Sequence, residues 1–168
     1  MEKEIINRVA QSQLKTIDLE DYYPVGERVF LDIKDWLYEG FVLREKDFRA
    51  SIAEHDWKQY QDKFIAVDCS TDAIIPGWAY MLISTKLHPY AKRVVQGNLE
   101  TLETSLYQSI IEDLDVSAYE DRPVIIKGCS NKPVPQNAYL FITSKLLPVA
   151  KSVMYGEACS SVPLYKKG

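Results

Sequence analysis

Three cysteines, Cys69, Cys129 and Cys159, are each followed by a serine, and two of them head matching stretches of chain. Cys69-Ser70 leads to Pro76 and the run PGWAYMLISTKLHPYAKRVVQGN, and Cys129-Ser130 leads to Pro135 and PQNAYLFITSKLLPVAKSVMYGE. Cys159-Ser160 lies just past the second stretch. Aligned without gaps from the two prolines, eleven of twenty-three positions are identical. Unrelated chains of ordinary composition would share about one or two. Thiolates are soft ligands whose mutual repulsion a bound cation relieves, so three converging sulfurs would suit zinc or an iron-sulfur cluster. The leading expectation is one metal site shared by Cys69, Cys129 and Cys159, with zinc the first choice and an iron-sulfur cluster the second.

Two other readings stand beside it. Free cysteine is among the most buried residue types, so the three can be small apolar fillers. One thiol near a helix approach can also act as a nucleophile, with adjacent backbone amides holding an anion. For a fourth ligand there are two candidates. Glu100 follows Gly97 as Cys159 follows Gly156, although a carboxylate at a helix start is favoured by the dipole alone. His88 offers an imidazole, the commoner zinc partner of thiolates, but sits at a helix break opposite Leu147. Asp68 and Asp72 flank the first cysteine and can hydrogen-bond the site or cap its loop. His55 reads as a helix-end residue, and Trp36, Trp57 and Trp78 read as core or interface. No dinucleotide, phosphate-loop, HExxH or GxSxG motif is present.

The elements that would position these residues are legible in outline. KFIAVDC and PVIIKGC are short apolar runs ending at the first two cysteines, as expected of strands buried on both faces in a mostly parallel α/β sheet. Pro76 and Pro135 suit the opening of helices whose Ala79, Ile83, Leu87 and Ala138, Ile142, Leu146 fall at i, i+4, i+8. Each helix should stop before Pro89 or Pro148 and be followed by a short second helix closed by Gly97 or Gly156. The repeats thus cover about 63–98 and 123–157. RVFLDI reads as a strand, the segment after it as helix broken near Gly40, and LETLETSLYQSIIEDLD as an amphipathic helix. SVPLYKK reads as a final edge strand, and residues 1–22 as an N-terminal helical arm. The cysteines of two neighbouring parallel strands would meet at the sheet edge where α/β proteins place ligands, and Cys159 could return to it.

The 168 residues, 46% of them hydrophobic, allow one substantial core and are read as a single domain. A net charge of -4 argues against nucleic acid. No apolar stretch is long enough to span a bilayer, and MEKEIINRVAQSQLK lacks a signal-peptide core. A cytoplasmic protein with reduced thiols is expected, and the aromatic content and the arm suggest a homodimer.

The segments WLYEGFVLREKDFR, HDWKQYQDKFIAVDCSTDAIIPGWAYML, VIIKGCSNKPVP and SVMYGEACSSVPLYKK resemble a bacterial family of uncharacterised proteins, domain-of-unknown-function family 2480. The likeness covers nearly the whole chain after the first thirty residues. It implies a role around iron-sulfur cluster biogenesis, with assembly proteins as partners, and assigns no catalytic residue.

Overall fold

The computed structural model describes residues 13–128 and 131–168. Among them are seven strands and four α-helices in a mixed α/β fold with mostly parallel strands. The chain divides into two compact units, Pro24–Leu106 and a second made of Tyr107–Gly168 with the described part of Met1–Tyr23. Each unit has its own sheet, where one common sheet was expected.

In the Pro24–Leu106 unit, β2 (Arg28–Asp32), β3 (Phe64–Asp68) and β4 (Arg93–Gln96) pair in that order, all parallel. The central run FIAV is apolar throughout because both faces are covered. Ile65 and Val67 pack with Phe48 and Ile52 of α1 (Glu45–Glu54) and with Ala79, Ile83 and Leu87 of α2 (Gly77–Leu87). Phe64 and Ala66 meet Leu102 and Leu106, in the first half of α3 (Leu99–Asp113). Beside that second face the Arg28 guanidinium donates to Glu103 at 2.6 Å, so the one buried charged residue among those described has a counter-ion.

In the other unit, β1 (Lys15–Ile17), β5 (Pro123–Ile126) and β6 (Ser152–Glu157) are parallel, and β7 (Ser160–Lys166) closes the edge antiparallel to β6. Val124 and Ile126 pack with Ala138, Ile142 and Leu146 of α4 (Gln136–Leu146), and with Tyr107 and Ile111 from the second half of α3. The Tyr107 hydroxyl, fully buried, donates to Leu19 O at 2.8 Å. Each helix carries the expected stripe, and each fully buried Leu or Ile of it contributes about 1.5–3 kcal/mol.

Three expectations are corrected. The chain after each second proline forms a strand, β4 or β6, and no second helix. Tyr90 and Ala91 both donate to Leu87 O, which closes the helix in one turn. The β-branched RVVQ then gains a full row of bonds beside β3; Gly97, at φ +135°, follows β4, and Gly156, at φ +122°, is the penultimate residue of β6. The described part of the expected helical arm over residues 1–22 is the strand β1 with a single 3-10 turn at Leu19–Tyr22, and residues 1–12 of that expectation lie outside the described residues. The sequence of α3 puts Leu99, Leu102, Leu106, Ile110 and Leu114 on one apolar face, but the buried side is Leu102, Glu103, Leu106, Tyr107 and Ile111, while Leu99 is exposed.

His55 ends α1 as expected, and its ring sits 5.0 Å from Trp36 and 4.7 Å from Trp57, with Nε2 2.7 Å from the Tyr60 hydroxyl. Burial lowers its pKa below the ordinary 6.5, against a smaller opposing pull from Asp56. The folded protein therefore holds the ring neutral while the unfolded chain takes up a proton first as pH falls, and the stability present above that value is lost below it. The urea midpoint should drop between about pH 7.5 and about pH 5.5, and His55→Gln should flatten that drop. An unchanged slope in the variant would show that His55 does not cause it.

Candidate functional site

The end of β3 and the loop after it are held by two carboxylates from adjacent strands. Asp32 and Asp68 are register partners at the C-terminal ends of β2 and β3. Asp32 Oδ1 accepts from the N–H groups of Lys34 and Ser70, both at 3.1 Å. Partial burial would raise the Asp32 pKa, but the Ser70 hydroxyl, then the two N–H groups and the Lys34 charge, outweigh it and hold the carboxyl below its ordinary range. Asp68 Oδ1 gathers three donors: Cys69 N at 2.9 Å, the Tyr80 hydroxyl at 3.2 Å and Gln96 Nε2 at 3.3 Å. A carboxylate can only accept, which fixes the Gln96 amide with its NH2 toward Asp68. Burial first, then the neighbouring Asp68 charge, push the Tyr80 phenol up to about 12.

Thr71 ties the same loop to the segment after β2. Its hydroxyl donates to Gly40 O at 2.6 Å. Gly40 stands at φ +77° in the tight turn bridged by Tyr38 and Val42, a left-handed geometry that glycine adopts without strain. Cys69 Sγ lies 3.1 Å from Thr71 Oγ1. Since the single Thr71 proton already goes to Gly40, the thiol must be the donor in that contact.

These groups line a cavity of about 460 Å3 at the C-terminal edge of the sheet. Asp68, Cys69, Thr71, Tyr80 and Gln96 supply its polar wall, and Ala73, Ile75 and Gly77 the rest. The size falls in the range of small-molecule sites, and the edge is where open α/β sheets hold ligands. A second, more apolar hollow of about 550 Å3 shares Ala73 with it and is lined by Phe41, Val42, Ile74 and Trp78 among others. Ile74 is 93% exposed there, beside Phe41 and Val42, which are also exposed.

The three-cysteine metal site is overturned. Among the described residues no three His, Cys, Asp or Glu side chains are grouped to hold a metal ion. The premise that the cysteine-bearing strands are neighbours fails, because β3 pairs only with β2 and β4 while β5 pairs with β1 and β6. Cys129 falls outside the described residues. Cys159 does not follow a pair of helices: it lies exposed in the two-residue turn between β6 and β7, in the unit that does not contain Cys69. The candidate fourth ligands form no metal-holding group with Cys69 either. His88 is the exposed C-cap of α2, at the far end of an eleven-residue helix about 16 Å long. Glu100 is exposed in the first turn of α3, where the dipole accounts for it.

The anion reading also fails at Cys69-Ser70, because both amides are already bound to carboxylates. Neither histidine is placed to take the Cys69 proton, since His55 is in the aromatic cluster and His88 at the far end of α2. Tyr80, Gln96, Asp32 and Thr71 were missed in the sequence. A signal existed for the aspartates: RVFLD and FIAVD both end in one, which on parallel strands sets two carboxylates side by side.

Fold and site together define an α/β protein with a polar, ligand-sized cavity at the carboxyl edge of a parallel sheet. Residues 3–167 match the family described as "Protein of unknown function (DUF2480)", and the chain belongs to that family. No curated protein and no solved structure matches it. No helix among the described residues is long and apolar enough to cross a membrane.

Two outcomes follow from the hydrogen bonding. In protein labelled at tyrosine Cζ, Tyr80 should titrate at about 12, and Asp68→Asn should move it down toward 10.0 by removing the adjacent charge. In a Cys129→Ser background iodoacetamide should modify the exposed Cys159 well before Cys69. Faster reaction at Cys69 would contradict its role as a hydrogen-bonded donor.

Proposed function

We propose that the Pro24–Leu106 unit binds a small organic molecule in the Asp68–Tyr80–Gln96 cavity, and that Cys69 shapes this cavity without attacking the ligand. The observation that carries this reading is Asp68: a half-buried carboxylate at a strand end, gathering three donors and lining a cavity of about 460 Å3. A carboxylate needed only to hold a loop would not require an open space beside it. The exposed Ile74, Phe41 and Val42 next to the cavity support the same reading, since large apolar groups gathered at a surface mark binding regions.

The other unit supports a division of labour. Its β5, α4 and β6 correspond one for one to β3, α2 and β4, with helices of eleven residues that both follow a proline N-cap. We read them as two copies of one building block that have diverged at the strand ends. One step past the pair Ile17 and Ile126, Asp18 holds Lys127 at 2.9 Å, at the positions where the first unit has Asp32 and Asp68. Tyr155 stands in place of Gln96, its hydroxyl donating to Gly128 O at 3.2 Å, and a side chain on Gly128 would lie 2.9 Å from its ring.

A fragment library screened against the whole chain by two-dimensional NMR should give hits that shift the amides of Cys69, Thr71, Gly77 and Gln96. Tyr80→Phe should weaken these hits several-fold, by about the worth of one hydrogen bond. A library whose hits all leave those amides unmoved would defeat the reading.

A further inference from the structure

Once its internal bonds are made, the polar wall of the cavity offers almost only acceptors. The side-chain protons of Tyr80, Thr71 and Cys69 are committed to Asp68, to Gly40 O and to Thr71 respectively. Those three side chains can offer a ligand only lone pairs. Asp68 accepts all three of its bonds on Oδ1, and Oδ2 accepts none among the described residues. Gln96 keeps its carbonyl, while its NH2 serves Asp68 and the Tyr80 hydroxyl. A ligand gains from such a wall by bringing donors.

Charge points the same way. Asp32 and Asp68 are adjacent on paired strands, and the Lys34 ammonium stands 3.8 Å from Asp32 with its side chain 46% exposed, a pairing worth little. At the corresponding positions the other unit supplies its own cation, Lys127. The start of α2 at Gly77 opposes a cation with roughly half a positive charge, against the full negative charge of one carboxylate. The carboxylate is the stronger of the two.

We propose that the ligand of this cavity carries a primary ammonium or guanidinium group that donates to the open oxygen of Asp68 and to the Gln96 carbonyl. Ala73 and Ile75 then face the alkyl carbons next to that group. The inference rests on the cavity being a binding site at all, as read above, and the test separates the two.

The probes are n-butylammonium, n-butylguanidinium, butan-1-ol and butyrate, each titrated into the whole chain and followed at the amides of Cys69, Thr71, Gly77 and Gln96. The two cations should bind roughly tenfold more tightly than butan-1-ol, the worth of one charge-assisted hydrogen bond, and butyrate should not bind. Asp68→Asn should abolish that advantage of the cations over the alcohol. Because the probe series compares ligands on the unaltered protein, it decides the matter even if that variant fails to fold. Butan-1-ol or butyrate binding as tightly as the cations would overturn the cationic ligand and leave the binding site standing. No response to any probe would overturn both. The peptide acetyl-Ala-Lys-Ala-amide identifies the source: binding equal to n-butylammonium assigns the group to a protein side chain, and exclusion assigns it to a free amine.

Discussion

The convergence of three donors on one oxygen of Asp68 is the interaction on which the site depends. Cys69 N belongs to the loop, Tyr80 to the first turns of α2, and Gln96 to the end of β4. One carboxylate thus joins three elements that the backbone ladder leaves open at the sheet edge. Hydrogen bonds to a charged group contribute about 1.5–3 kcal/mol each, roughly twice the value for neutral pairs. The loop from 69 to 76 is fixed further by Asp32 through Ser70 and by Gly40 through Thr71, so both walls of the cavity are set before any ligand arrives. Such preorganisation lowers the entropy lost on binding.

The price is electrostatic. Two carboxylates end paired parallel strands, and the donors to Asp68 are all neutral: Cys69 N, the Tyr80 hydroxyl and Gln96 Nε2. The unit containing β5 arranges the same edge as an ion pair, Lys127 on Asp18. There, burial raises the Asp18 pKa, but the Lys127 hydrogen bond and the N–H of Glu20 outweigh it and bring the pKa below its ordinary value. One edge is neutralised from within, and the other keeps a carboxylate oxygen open. That contrast between similar frameworks is the reason to place binding in the Pro24–Leu106 unit.

Much of the framework was legible because hydrophobic period and proline placement are local signals. The stripes Ala79, Ile83, Leu87 and Ala138, Ile142, Leu146 located α2 and α4, and the apolar runs located β3 and β5. β4 and β6 were misread because four to six residues after a proline turn show too little period to separate helix from strand, and parallel pairing with β3 or β5 decides them. The site was harder to see. The repeated Cys-Ser drew the inference toward sulfur, yet the residue that organises the edge is the aspartate just before Cys69. Its partners Tyr80 and Gln96 lie 12 and 28 residues away, and only the helix and the β3–β4 pairing bring them to it. That two repeats would build two separate sheets is a matter of strand pairing that no single repeat encodes.

The organising role of Asp68 is tested most directly by a double-mutant cycle between Asp68→Ala and Tyr80→Phe, with stability read from urea unfolding of all four proteins. A shared hydrogen bond to a carboxylate predicts a favourable coupling of about 1 kcal/mol or more between the two positions. Strictly additive losses, with no coupling beyond about 0.3 kcal/mol, would contradict it.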